Sequence, residues 1–171
     1  MTYSIHDATV PVFTSMLANM AAWLDKAAAE KPEAELLEAR LAPDMRPLPA
    51  QFQMASDTAK FAVARLTGGT SPEMPDTEAS FAELKARCDK TIRYIEGVDP
   101  AAFDGAEARE VQLKFPNNMG YRFTGAQYAT GFALPNFMFH ATTAYAILRA
   151  AGVGIGKPDF LRHLGQPISL A

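Results

Sequence analysis

Apolar residues recur at steps of three and four over most of this chain, which is the spacing of α-helices that bury one face. The segments that show this spacing run over about 5–30, 48–66, 77–96 and 124–151. Pro135 lies inside the fourth segment, where the missing backbone N–H is expected to kink the helix. The pattern therefore predicts four long helices.

The residues that precede several of these segments are typical helix caps. Ser4 is followed by Asp7, and Thr124 by Gln127, which is the three-residue spacing of a capping box. For the third helix, Asp76 or Thr77 is expected to be the cap. Such side chains accept hydrogen bonds from the free N–H groups of the first turn, so they predict where each helix begins.

One stretch, 109–123, has a different rhythm. Val111, Leu113 and Phe115 alternate with polar residues, and the segment 116–120 is rich in turn-forming residues. This pattern predicts a short β-hairpin inserted between helices. Because an isolated hairpin is marginally stable in water, it is expected to pack on the helical body.

Together these elements predict an all-α bundle of four helices with one small hairpin. The 171 residues fit a single domain over 1–171, and the chain shows neither an internal repeat nor a linker. The segment Gly156-Lys-Pro-Asp-Phe160 follows the last helix and is expected to be a tail that docks on the bundle.

Composition narrows the class of protein further. Apolar residues make up 49% of the chain and the net charge is −3, so we expect neither a disordered chain nor a nucleic-acid partner. No uninterrupted apolar run is long enough for a membrane span, and the N-terminus lacks the features of a signal peptide. The single cysteine, Cys88, is expected to be an inert core residue. These features predict a cytoplasmic protein.

The first candidate residues for binding or catalysis lie on the fourth helix. Asn136 and His140 are four residues apart and therefore share one helical face, among phenylalanines that indicate an apolar environment. A histidine in this position could act as a general base, a metal ligand or a structural hydrogen-bond partner.

A second polar pair, Gln53 and Asp57, shares a face of the second long helix. If the two helices are neighbours, Asp57 could lie beside His140 and orient its ring. The alternative is that Asp57 pairs with a surface lysine or arginine. The sequence leaves both interpretations open.

Several separated motifs together resemble an uncharacterised bacterial family of unknown function, which is placed in the DinB/YfiT-like superfamily. The resemblance extends from about Ile5 to Leu161. The motifs are Leu41-Ala-Pro-Asp-Met, Gln51-Phe-Gln-Met-Ala-Ser-Asp57-Thr-Ala-Lys60, Phe81-Ala-Glu-Leu84, Phe103-Asp-Gly-Ala-Glu107, Pro135-Asn-Phe-Met-Phe-His140-Ala-Thr-Thr-Ala-Tyr145-Ala-Ile-Leu-Arg149 and Gly156-Lys-Pro-Asp-Phe160.

The resemblance implies a DinB-like bundle with up-down-down-up connectivity, often assembled as a homodimer. Many members of the superfamily hold a divalent metal through three histidines, and some are thiol-dependent transferases, isomerases or hydrolase-like enzymes. Carried over to this chain, the three ligand positions fall on Gln53, Asn136 and His140. Amides are poor ligands for zinc or nickel, so a complete three-histidine site is not expected. Any metal would use His140 with Asp57.

The sequence thus favours an unknown small molecule as the partner, bound without a cofactor in a pocket lined by Gln53, Asp57, Asn136 and His140. Tyr145 would lie one turn further along. Two alternatives remain open. One is a hydrolase or thiol transferase that recruits a divalent metal through His140. The other is a non-enzymatic, dimeric interaction protein, and the wide apolar arc of the first helix is compatible with a homodimer.

Overall fold

Four long helices pack around one hydrophobic core, and the short elements cover its ends. The computed structural model of the chain describes residues 4–117 and 119–170. The helices and strands are α1 (Ile5–Glu30), α2 (Glu33–Glu38), α3 (Leu48–Thr67), α4 (Phe81–Glu96), β1 (Glu110–Lys114), β2 (Gly120–Thr124), α5 (Gly125–Tyr128), α6 (Leu134–Ala150) and α7 (Lys157–Phe160).

Contacts along the helices fix their directions. The rings of Phe13 and Phe137 are 4.8 Å apart, and those of Trp23 and Tyr145 are 5.6 Å apart, so α1 and α6 run parallel. Helix α1 is antiparallel to α4, because a residue late in α1, Asp25, pairs with Lys85 at the start of α4.

Helices α3 and α4 run parallel to each other. Gln53 near the start of α3 contacts Glu78 just before α4, whereas Tyr94 near the end of α4 contacts Thr70 just after α3. The 13 residues between the two helices allow the chain to return to the same end of the bundle. The directions confirm the predicted up-down-down-up bundle.

Two of the predicted caps are present as full capping boxes. Ser4 and Asp7 cap α1, and Thr124 and Gln127 cap the last helical segment. The predicted start of the third long helix is corrected: α4 begins at Phe81, and its cap is Ser80 rather than Asp76 or Thr77. The upstream residues are extended instead, because Glu78 is engaged by side chains of α3 and α4.

The fourth predicted helix contains a π-helical turn, Ala129–Ala133, between α5 and α6. Pro135 lies two residues after the end of this turn and cannot donate a backbone hydrogen bond. In a regular α-helix Tyr128 would lie about 80° around the axis from Asn136. A π turn contains one extra residue, which accounts for about 100° of rotation around the axis. The turn therefore brings Tyr128 to within about 20° of the face that carries Asn136.

The hairpin is present where the alternation predicts it, with β1 and β2 antiparallel and Val111 opposite Phe123. Val111 and Leu113 are buried, so one side of the hairpin packs on the bundle. Asn118, which belongs to the predicted turn, lies outside the described residues. At the start of α5, the backbone passes so close to Ala106 that a Cβ on Gly125 would lie 1.8 Å from the Ala106 carbonyl oxygen.

The tail docks on α1 as expected. The indole nitrogen of Trp23 donates to the Asp159 carbonyl at 3.1 Å, and Asn19 Nδ2 donates to the Phe160 carbonyl at 2.9 Å. The Phe160 ring also stacks on Trp23. Within the described ranges, no helix is both long and apolar enough to cross a membrane.

Candidate functional site

A cleft of about 300 Å³ lies between α3 and the last helix, and the hairpin closes one side of it. Its apolar lining consists of Met54, Phe61, Leu113 and Phe132, and its polar lining consists of Asp57, Thr58, Arg65, Tyr128, Asn136 and His140. This volume is at the lower end of the range of ligand pockets in proteins. The cleft can therefore take a small organic molecule.

Three polar residues of α3 meet three polar residues on the last helix. Gln51, Thr58 and Arg65 are spaced by seven residues, which is nearly two full turns, so they lie on one face of α3. Their partners on the last helix are His140, Asn136 and Tyr128, respectively. The order is reversed between the two helices because α3 and α6 are antiparallel.

The His140 ring is held in one orientation by Gln51. The amide nitrogen of Gln51 donates to the Arg46 carbonyl at 2.9 Å, so its oxygen faces His140 Nδ1 at 3.0 Å. An amide oxygen can only accept, and Nδ1 must therefore carry the proton. In the neutral ring, Nε2 is then left with an unprotonated lone pair.

That lone pair reaches the cleft. Nε2 of His140 makes no hydrogen bond with the described residues. If Nε2 were fully buried, it would be a buried polar atom without a partner. Among the described residues, however, the only side-chain nitrogen or oxygen of that kind is Arg87 Nε. Nε2 is therefore accessible. The residue as a whole is 8% exposed, and this burial lowers the pKa of His140. At neutral pH the ring is uncharged and can accept a hydrogen bond or a proton from a bound molecule.

Asn136 supplies a second acceptor. Its amide nitrogen donates to Thr58 Oγ1 at 2.8 Å, and the Thr58 hydroxyl in turn donates to the Met54 carbonyl at 2.6 Å. This arrangement leaves Oδ1 of Asn136 without a partner among the described residues. His140 and Asn136 therefore present two hydrogen-bond acceptors on one face of α6.

Asp57 lines the cleft, but its carboxylate pairs with cations rather than with His140. Asp57 Oδ1 lies 2.7 Å from Arg87 Nη2 and 3.2 Å from Lys60 Nζ. Gln53 points the same way and donates to Glu78 at 2.9 Å, so it is not part of the cleft. Both residues face α4 because they lie on a different side of α3 from Gln51.

Arg87 forms ion pairs with three carboxylates, which lie on α3 and on the loop before α4. The guanidinium contacts Asp57, Asp76 and Glu78, and the residue is 4% exposed. Burial alone would raise the pKa of Glu78, but hydrogen bonds from Arg87 and Gln53 outweigh it and lower that pKa. The cluster is thus an ion-pair network that fastens the loop before α4 to the bundle.

Two further residues singled out from the sequence lie away from the cleft. Tyr145 packs edge-to-face against Trp23 and Phe160, where it supports the docked tail. Cys88 is fully buried in the core, and burial raises the pKa of its thiol to about 12. A thiol of this kind stays protonated and does not act as a nucleophile.

The three superfamily metal positions do not converge. Gln53 faces Glu78, Asn136 faces Thr58, and only His140 has a free nitrogen in the cleft. The described part of the chain contains no group of three or more histidine, cysteine, aspartate or glutamate side chains placed to hold a metal ion. These donors do not fit the three-histidine centre.

The direction of the four helices, with a polar cleft between the second and the last, defines the chain as a DinB-like protein. A solved relative supports this class: the structure described as a DinB family member protein from Shewanella denitrificans is 42% identical. The match covers 97% of this chain and 94% of that one, with a TM-score of 0.83.

Within this class, residues 5–161 match the family model described as domain of unknown function DUF1993, and the chain belongs to that family. The comparison with curated proteins gave no match.

One residue that sequence reasoning missed is Gln51, the hydrogen-bond partner of His140. The signal was available in the spacing of Gln51, Thr58 and Arg65, which places three polar residues along one side of the helix, separate from the side that carries Gln53 and Asp57. Arg65 was missed for the same reason.

Proposed function

We propose that this protein binds a small organic molecule in the cleft between α3 and α6, without a resident metal. The observation that carries the proposal is the unprotonated Nε2 of His140, which is oriented by Gln51 and has no partner in the described structure. Because this nitrogen is accessible from the cleft, a ligand donor can reach it and form a hydrogen bond to it.

The surroundings of His140 support binding rather than a purely structural role. His140 uses only Nδ1 within the fold, so Nε2 is available to a bound molecule. The cleft also combines aromatic walls with a few polar groups, which is the usual composition of small-molecule sites.

A hydrolase or thiol transferase that uses a metal on His140 and Asp57 is the less supported alternative. The Asp57 carboxylate already has two cationic partners, and a metal would have to displace them. The only cysteine is buried and protonated, so this chain would not supply a thiolate of its own.

The experiment is a fragment screen by ¹H–¹⁵N NMR on the full chain, with Met54→Trp as the blocked variant. Met54 lines the cleft, and an indole there would fill it. Met45→Trp is the matched control, because Met45 lies in the connection before α3 and does not line the cleft. We expect fragments to shift the resonances of Thr58, Asn136 and His140 in the wild type and in Met45→Trp, but not in Met54→Trp. A screen in which no fragment shifts these resonances would overturn the proposal.

A second proposal concerns assembly: we infer that two copies associate through the outer face of α6. This face carries Phe139, 56% exposed, near Leu41, 48% exposed, and together with Met138, Thr142 and Ala146 these side chains form an uncharged groove. Exposed apolar surface of this kind favours a protein partner, and a homodimer is what the superfamily resemblance implies. Such a dimer would make the chain an interaction protein as well as a small-molecule binder.

A further inference from the structure

Arg65 is the one charged group of the cleft that lacks an ionic partner among the described residues. Its Nη1 donates to the Tyr128 hydroxyl at 2.9 Å, and its guanidinium lies 5.1 Å from the centre of the Phe61 ring. The other charged lining residue, Asp57, is offset by Lys60 and Arg87. The cleft therefore carries a positive charge within a chain whose net charge is −3.

The guanidinium is already positioned for an anion. Stacking near Phe61 and the bond to Tyr128 restrict the side chain, and the remaining N–H groups stay free to form a fork with a carboxylate. Tyr128 holds the guanidinium in place: its side chain is fully buried, burial raises the pKa of its phenol, and its oxygen accepts from Arg65.

The opposite end of the cleft offers hydrogen-bond acceptors instead of donors. His140 Nε2 and Asn136 Oδ1 are both acceptors, and neither has a donor partner in the described structure. A ligand that fills the cleft must therefore present a hydroxyl or an N–H group at this end.

The two ends are separated by apolar walls. Arg65 lies two turns, or about 10 Å, along α3 from Thr58, which is the partner of Asn136. Phe61, Leu113 and Phe132 line the space between them. The part of the ligand that crosses this distance must be apolar or aromatic.

We propose that the ligand of this cleft is an amphipathic monocarboxylate, with its carboxylate on Arg65 and a hydroxyl or N–H donor on Asn136. The inference rests on the proposed function and deepens it. A dianion such as a phosphate monoester fits less well, because a single guanidinium serves the anionic end. The monocarboxylate matches the available donors and acceptors at both ends.

The test uses a panel of aryl and alkyl monocarboxylates, each with its primary amide. The panel includes 3-(4-hydroxyphenyl)propionate and 3-phenylpropionate, which differ only in the hydroxyl group. Binding is measured by calorimetry on the wild type, on Arg65→Met and on Arg93→Met. Arg93 is the matched control, because it is an exposed arginine of α4 outside the cleft.

We expect at least one acid to bind tenfold or more tightly than its amide, and the hydroxylated acid to bind more tightly than its unsubstituted analogue. Arg65→Met should abolish the preference for the acid, and Arg93→Met should keep it. The inference is overturned if no acid is preferred over its amide in the wild type, or if both variants lose the preference equally. Neutral fragments that shift His140 would then leave the proposed function standing, whereas the absence of any binder in the cleft would end both proposals.

Discussion

Gln51 Oε1 lies 3.0 Å from His140 Nδ1, and this contact sets which nitrogen of the ring faces the cleft. The same amide is tied to the Arg46 carbonyl, so it cannot rotate to present its nitrogen to the ring without losing that bond. The cleft therefore receives a lone pair and not an N–H group. The chemistry of the site depends on a residue that does not line it.

Gln51→Met should remove the contact that fixes the tautomer of the His140 ring. The substitution leaves His140 Nδ1 without a partner in a buried setting, which costs about 1–2 kcal/mol of stability. It should also raise the fraction of the Nε2–H tautomer, as measured by ¹⁵N NMR of the imidazole. Gln53→Met is the matched control: it removes the bond to Glu78 and should leave the tautomer unchanged. Equal tautomer shifts in both variants would contradict the assignment.

The buried His140 makes stability depend on pH. Burial lowers its pKa below the usual 6.5, so the unfolded chain binds the proton more readily than the folded one. The free energy of unfolding should therefore be highest above pH 6.5 and should fall as the pH is lowered toward the folded-state pKa. Urea titrations at pH 7.5 and 5.5 measure this difference. It should be smaller in His140→Gln, and an unchanged difference would contradict the shift.

Arg87 should matter for stability more than any of its acidic partners. Arg87→Met leaves Glu78 without its cation and Asp57 with Lys60 alone, and it should cost about 3 kcal/mol, measured by chemical denaturation. Asp76→Asn removes a carboxylate whose side chain is 57% exposed, and it should cost less than about 1 kcal/mol. Similar losses in the two variants would show that the network is not anchored on Arg87.

The proposed dimer makes its own prediction. Phe139→Glu places a charge in the uncharged groove on α6 and should convert a dimer into monomers, as measured by light scattering at micromolar concentration. Tyr121→Glu is the control, because Tyr121 is similarly exposed but lies on the hairpin. A wild-type protein that is monomeric under these conditions would rule out the assembly.

Much of the fold follows from local signals in the sequence. The period of the apolar residues separates the helices from the hairpin, and the boxes formed by Ser4 with Asp7 and by Thr124 with Gln127 mark two helix starts. The start of α4 was misplaced because Asp76 and Thr77 are equally good caps. What decides between them and Ser80 is the ion pair of Glu78 with Arg87, a tertiary contact that local sequence does not reveal.

The site was predictable only in part. The spacing of Asn136 and His140 correctly places them on one face of α6. Helix α3, however, touches both α4 and α6, so the sequence does not show which polar face of α3 meets Asn136 and His140. Asp57 turns to Arg87 because a buried guanidinium needs carboxylates around it, and Gln53 turns to Glu78, a second partner of Arg87. The π turn that brings Tyr128 to the cleft is a second feature that the sequence shows only indirectly, through Pro135.

The most direct test of the central claim is the ¹⁵N chemical shift of His140 Nε2, measured in protein purified without added metal. We predict the shift of an unprotonated, metal-free imidazole nitrogen that is unaffected by a chelator and moves when a cleft-binding fragment is added. A shift that changes on chelator treatment, together with near-stoichiometric bound metal, would contradict the account. So would a protonated Nε2 that does not respond to any fragment.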